Sequence, residues 1–422
     1  MLHYMRYWAG RLNTHHIKAN MKSFALLFVL ILCTACVPQG LPATEASPTL
    51  VATHFPTATL SPTSTSFPSS TTPVLLLPSP TPIFNISIDN VAIDQQGALY
   101  VSGFGKQDDL RHFARWDGGK WIELGNGFRT AGNSLVVDSA GYLYTEIITD
   151  SQLGMSNAIM RWDGAKWEDI TGNFSIVVDA LQAGRLSSNI PVMALAVDGE
   201  DNLNAAGSYF YPSADNTAEW AMGYVAKWNK DSWSVLGQGF DKVYITAMET
   251  GATGNVYVSG EQPLTPEGNN DFIAQWDNET WAQLNASKLN TTQSIAVDRS
   301  GRLYANSQWT VITYWDGADW ITIADQLGGE APAVYDMAMG RNDHLCIGGS
   351  FESVNAIPAR HIACWDGNSW QALGDGVNER VNALAFDPNG ELYAVGYFTE
   401  AGGLPVDHAA RWDGETWYAL GQ

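Results

Sequence analysis

Residues 381–421 read VNALAFDPNGELYAVGYFTEAGGLPVDHAARWDGETWYALG, and this stretch decides the fold. Four short β-prone runs can be picked out: Val381–Phe386, the run opening at Leu392-Tyr393, Ala410–Trp412, and Trp417–Leu420. Asp387-Pro388-Asn389-Gly390 separates the first two and Asp413-Gly414 the last two. Asp bonds its own turn backbone and Gly supplies positive φ, so both dividers read as chain reversals. Runs of this length between such turns are antiparallel strands, four to the unit.

The unit recurs. A Trp, a short turn and a second Trp five residues on appear as Trp116/Trp121, Trp162/Trp167, Trp228/Trp233, Trp276/Trp281, Trp315/Trp320, Trp365/Trp370 and Trp412/Trp417. These pairs absorb all but three of the 17 tryptophans, so the residue serves architecture. Asp94, Asp138, Asp298 and Asp387 open the first turn, with Gly97, Gly141, Gly301 and Gly390 three residues later. Fixed spacing inside a longer repeat implies stacked identical units, and about 48 residues per copy is a propeller-blade length. The expected fold is all-β: a seven-bladed β-propeller of four-stranded antiparallel blades over residues 84–422. Identically spaced indoles could in principle be sugar-stacking platforms, but seven copies fit a structural purpose better. The third blade diverges most, with Asn229-Lys230 where others carry Asp-Gly.

Ahead of the repeat lie two segments that cannot belong to it. Residues 23–35 (SFALLFVLILCTA) are an apolar run preceded by Arg6, Arg11, Lys18 and Lys22, which suits a signal-peptide core within residues 1–36, with Met21 an alternative start. Thr34-Ala35-Cys36 resembles a bacterial lipobox, making Cys36 the candidate for lipidation, although Cys33 stands where the pattern prefers Leu. Residues 37–83 are rich in Pro, Ser and Thr, as in Ser61-Pro62-Thr63-Ser64-Thr65, and read as a disordered linker or stalk. The location expected is the cell envelope, lipid-anchored or secreted, with membrane contact only through a lipid anchor.

The chain has 44 acids against 22 Lys and Arg, a net charge of −22. Because four of the bases and none of the acids precede Cys36, the remainder is more acidic still. Such a surface excludes nucleic acid, whose phosphates require clustered Lys and Arg.

The Trp-Asp-Gly…Trp…Leu-Gly pattern, as in Trp412-Asp413-Gly414…Trp417…Leu420-Gly421, resembles the kelch and galactose-oxidase-like propellers. It is closer to bacterial secreted repeat propellers of largely undefined activity. It departs from kelch in showing the double Gly after the second strand only at Gly348-Gly349, and from WD40 in lacking Gly-His.

Length variation concentrates on one face of the expected disc: residues 173–191, Ser208–Gly223, Glu261–Asp271 and Ser350–Arg360. Variable loops on a rigid scaffold are the usual place for binding. The candidate ligand-binding residues there are the non-repeat aromatics Tyr209, Phe210, Tyr211, Trp220 and Trp309 and the acids Glu219, Glu261, Glu267 and Asp271. The aromatics serve equally well to pack the insertions onto the disc. The function expected is binding of an extracellular glycan or protein by a monomer, without cofactor or metal. A sugar-active lyase or hydrolase with its site at the pore is the alternative, and a structural envelope component a third. No catalytic residues can be named, since no nucleophile elbow, phosphate loop or His-Glu-x-x-His is present. His112, His361 and His408 share one repeat position and so lie in different blades, too far apart for one ion. Cys346 and Cys364 replace Tyr and Arg of the repeat on strands expected to pair, so a cross-strand disulfide is expected.

Overall fold

The computed structural model describes residues 84–105, 108, 110–129, 131–151, 154–179, 191–212, 219–262, 271–286 and 288–420. The signal segment, the linker and Cys36 lie outside these residues. Every Trp pair forms the last hairpin of an antiparallel sheet. The first sheet comprises Phe84–Ile93, Leu99–Gly105, Arg111–Trp116 and Trp121–Glu123, paired in that order. The second comprises Ala131–Val137, Leu143–Ser151, Gly154–Trp162 and Trp167–Asp169. The third is built from Val192–Val197, Leu203–Pro212, Glu219–Trp228 and Trp233–Val235, with Phe240–Asp241 pairing onto its third strand. The fourth runs through Tyr244–Thr250, Val256–Glu261, Asp271–Trp276 and Trp281–Leu284. The fifth runs through Ile295–Val297, Leu303–Ser307, Val311–Trp315 and Trp320–Ala324. The sixth takes Ala333–Met339, Leu345–Ser350, Ile362–Trp365 and Trp370–Ala372, and the seventh Val381–Phe386, Leu392–Gly396, Ala409–Trp412 and Trp417–Ala419.

First strands of successive sheets touch one another in order, and that of the seventh touches that of the first. The sheets therefore close a ring with their first strands innermost, a β-propeller. The core lies between the sheets. One apolar cluster joins Tyr100, Phe113 and Leu124 of the first sheet to Leu143 and Trp162 of the second. Another joins Ile88 and Val101 to Val395, Ala409 and Leu420 across the closing seam. Each large side chain so buried contributes about 1.5–3 kcal/mol.

The repeat residues act as their chemistry dictates. Asp387 Oδ1 accepts the amides of Asn389 and Glu391 at 2.8 Å each, and Gly390 takes φ 90°. Asp413 Oδ1 accepts those of Glu415 and Thr416. In the divergent third sheet Lys230 itself adopts φ 78°, while Asn229 Oδ1 does the accepting. The Trp rings of each pair meet at centroid distances from 5.0 Å (Trp116/Trp121) to 6.3 Å (Trp228/Trp233). The Gly of Leu-Gly makes room for the next sheet: a Cβ on Gly237 would stand 2.7 Å from Trp281.

One expectation is corrected. Ser208–Gly223 is not a loop: Ser208 pairs with Gly223 and the ladder continues to Pro212 and Glu219, so the insertion lengthens two strands. Phe84–Ile88 is the start of the first sheet's own innermost strand. The ring shuts by packing between first and last sheets, helped by Asn382 Nδ2 donating to Ile88 O at 2.9 Å.

Candidate functional site

Four side chains from three sheets converge on the face that carries the second-to-third-strand loops and the sheet-to-sheet connections. Trp309 belongs to the reversal between the second and third strands of the fifth sheet. Gln308 and Trp309 take φ 54° and 67°, and Thr310 N donates to Ser307 O. Two successive positive φ angles make the tight turn that suits a hairpin's twist, a conformation normally given to Asn and Gly. For a bulky residue it costs about 1–2 kcal/mol. The strain is held by neighbours: Gln308 N donates to Asn290 O at 2.6 Å, and Trp309 O accepts from Val334 N of the sixth sheet at 2.7 Å.

That last bond brings Trp309 beside Tyr335, the rings meeting edge to face at 5.9 Å. Tyr335 is on the sixth sheet's innermost strand and is 36% exposed. Arg380, just before the seventh sheet, lies between two rings, its guanidinium carbon 4.9 Å from Tyr335 and 4.2 Å from Tyr397. Tyr397, also 36% exposed, is tied in place by its amide donating to Arg380 O at 2.9 Å. Arg380 Nε donates to Asn382 Oδ1 at 3.0 Å. Among the described residues no carboxylate pairs with Arg380. The result is an open shelf of aromatic faces around one cation.

Two carboxylates sit deeper, on innermost strands: Glu249 of the fourth sheet and Asp336 of the sixth. Burial pushes Glu249 up to about 7, with the Asp336 charge adding to the rise. Burial likewise pushes Asp336 to about 7, against the pull of two backbone amides. Those amides are Met337 N at 2.9 Å and Leu384 N of the next sheet at 2.8 Å, so both Asp336 oxygens are engaged in structure. At the opposite end of the strands, Asp94, Asp138, Asp198 and Asp201 line a depression of about 260 Å³. Their carboxylates accept turn amides and hydroxyls, as Asp138 does from Ala140 N, Tyr142 N and the Tyr144 hydroxyl. The acids of this depression are already consumed by the turns.

Of the residues singled out from sequence, Trp309 stands on the shelf. Tyr209 does not: it is buried beside Tyr224, ring centroids 6.5 Å apart, because the strand it extends turns that side chain inward. Asp271 is also buried, accepting from Thr291 N, Thr292 N and the Thr292 hydroxyl, a clamp on the connection to the fifth sheet. Glu261 is half-buried opposite Asp271. Phe210, Tyr211, Glu219 and Trp220 form the end of the extended hairpin, and their side chains lie outside the described residues, as does Glu267. His112 accepts no metal role here: it bridges Asp108, at 2.8 Å, and Glu123 within its own sheet. Among the described residues no three His, Cys, Asp or Glu side chains gather to hold a metal. Cys346 and Cys364 are directly opposite in register and joined as a disulfide.

Tyr335, Arg380 and Tyr397 escaped the sequence reading. The position of Tyr335, five before the turn residue, holds Asp89, Thr246, Gln293 and Asn382 in other sheets, so an aromatic there was the available signal.

No family model matches the chain, and no curated protein matches it. Among solved structures, it is similar to a streptogramin B lyase structure, with 9% identity and a TM-score of 0.49 over 75% of this chain and 92% of that one. It is similar also to selenomethionine-substituted virginiamycin B lyase from Staphylococcus aureus, with 9% identity and a TM-score of 0.48 over 74% and 92%. YCF48 bound to D1 peptide shares 13% identity with a TM-score of 0.45 over 80% and 94%. Likeness at this level carries no activity or ligand to the chain.

Proposed function

We propose that the protein is an extracytoplasmic, surface-anchored binding module, a seven-bladed β-propeller that takes a glycan on its variable-loop face. The observation that carries this reading is the shelf of Trp309, Tyr335 and Tyr397 around Arg380. Aromatic faces held on rigid backbone offer C–H-rich sugar rings a large contact at low entropic cost. Trp309 is kept in a conformation that costs energy, and strained residues cluster where a ligand is handled.

A protein ligand fits less well. Among the described residues the large exposed apolar side chains are Ile176, Ile321, Tyr335, Tyr397, Leu404 and Tyr418, spread over several sheets, with Tyr335 and Tyr397 meeting at Arg380. Protein interfaces require roughly 800 Å² per partner around an apolar core. Catalysis at the pore has less support too, because Asp336 has both oxygens committed to backbone amides. The test is a glycan array probed with the full chain and with Trp309→Ala, followed by incubation with each hit to look for cleavage. Binding without cleavage, lost in Trp309→Ala, is the expected result. Cleavage of a hit would move the reading to a sugar-active enzyme, and an unaffected variant would move the site elsewhere.

A further inference from the structure

The glycan reading can be taken one step further, and the next step rests on it. We propose that the shelf takes a saccharide bearing a carboxylate, a uronic acid, with Arg380 as its charge partner and the aromatic rings as its stacking floor.

Carboxylates outnumber cations 44 to 22, and among the described residues the exposed arginines make no ion pair while those packed away from solvent, Arg380 apart, have a carboxylate partner. Other well-packed arginines follow that rule: Arg111 meets Asp89 at 3.1 Å, Arg161 meets Glu168 at 2.7 Å, and Arg411 meets Glu391 at 2.7 Å. Arg380 breaks it. Its guanidinium is clamped between Tyr335 and Tyr397, and its Nε is spent on Asn382 Oδ1. Asn382 is itself anchored, donating to Ile88 O of the first sheet. The group is thus oriented before any ligand arrives, and its terminal nitrogens keep the planar fork that matches a carboxylate in two parallel bonds. The two neighbouring rings cover part of the half-buried guanidinium, which lowers the screening of such a pair.

The same acidic surface shapes what can bind. A net charge of −22 repels a long polyanion, while one carboxylate at one cation feels mainly the local attraction. The ligand inferred is therefore an isolated or terminal uronic acid on an otherwise neutral saccharide.

The test uses the full chain and two probes: an oligosaccharide ending in glucuronic acid and its carboxyl-reduced counterpart. Calorimetric titration should show the acid binding about tenfold tighter, as a charge-assisted bond implies. The preference should shrink as salt screens it. Arg380→Gln should bring the two probes level, whereas Trp309→Ala should lose both. Equal binding of the two probes by the native protein, or an unchanged preference in Arg380→Gln, overturns the uronate inference and leaves the glycan reading standing. If neither probe binds and an aspartate-rich peptide does, the ligand is a protein and both fall.

Discussion

Trp417 donates its indole N–H to the carbonyl of Leu373, 2.8 Å away across the boundary between the sixth and seventh sheets. The second Trp of each pair repeats the act on the preceding sheet: Trp167 to Leu124, Trp233 to Ile170, Trp281 to Leu236, Trp320 to Asn285 and Trp370 to Ile323. One indole breaks the series. Trp121 Nε1 is buried with no hydrogen-bond partner among the described residues, and its sheet is the one that meets the chain's last. The repeated Trp is thus a link between sheets as well as a core residue, and the link is missing at the seam.

Removing the N–H while keeping an aromatic should therefore matter unequally around the ring. Trp417→Phe leaves the Leu373 carbonyl unpaired and should cost about 1–3 kcal/mol beyond the lost ring volume. Trp121→Phe removes a donor that was already unsatisfied, and should cost less by that margin. Urea unfolding of the two variants side by side measures the difference, and equal losses would contradict the link.

The disulfide makes a second prediction. Cys346 and Cys364 stand opposite one another on paired strands, 18 residues apart in sequence. A loop of that size should stabilise the protein by about 2–4 kcal/mol, mainly by restricting the unfolded chain. Reduction, or the double Ser variant, should lower the urea midpoint accordingly. Alkylation of both residues in unreduced, denatured protein would show the bond absent.

Acidification is predicted to stabilise. Glu249 and Asp336 have pKa values raised to about 7, so between the ordinary carboxylate range and about 7 the folded state holds more protons than the unfolded. Stability then falls as pH rises through that window, because the slope follows the unfolded-minus-folded proton count. Lowering the pH from 8 to 5.5 should raise Tm by a few degrees, about the shift of one or two kcal/mol. Glu249→Gln should raise Tm at pH 8, leave it nearly unchanged below the unfolded carboxylate range at about pH 4, and flatten the profile. A profile that is level in the wild type would show that the two carboxylates are solvated.

How much of this could be read in advance depends on how many sheets a feature spans. The Trp pairs and the Asp-led turns repeat within each unit, so strand order and turn chemistry followed directly from Asp387, Gly390 and their equivalents. Ser208–Gly223 misled because an insertion in a repeat looks like a loop, although its run of aromatics is also a strand-forming run. The shelf was legible only at Trp309. Tyr335, Arg380 and Tyr397 belong to two further sheets, and each had an ordinary reading: a strand aromatic, a solvated charge, a residue beside Gly396. Periodicity reports neighbours within a sheet, while the site is assembled between sheets.

The clearest separation of binding from folding should come from Trp309 itself. Its positive φ costs about 1–2 kcal/mol that Gly would not incur. Its edge contact with Tyr335 contributes about 0.5–1.5 kcal/mol beyond the area its half-buried ring covers, and Gly would lose both. Relief of strain offsets part of that loss, so Trp309→Gly should cost about 1–2 kcal/mol. A repeat Trp behaves otherwise: Trp370→Ala empties a buried site and should cost about 3–5 kcal/mol. An indole that the fold can lose at less cost than a repeat Trp, yet whose loss abolishes saccharide binding, is retained for the ligand. A drop in stability for Trp309→Gly comparable to that for Trp370→Ala would instead make Trp309 a packing residue, and the shelf would lose its anchor.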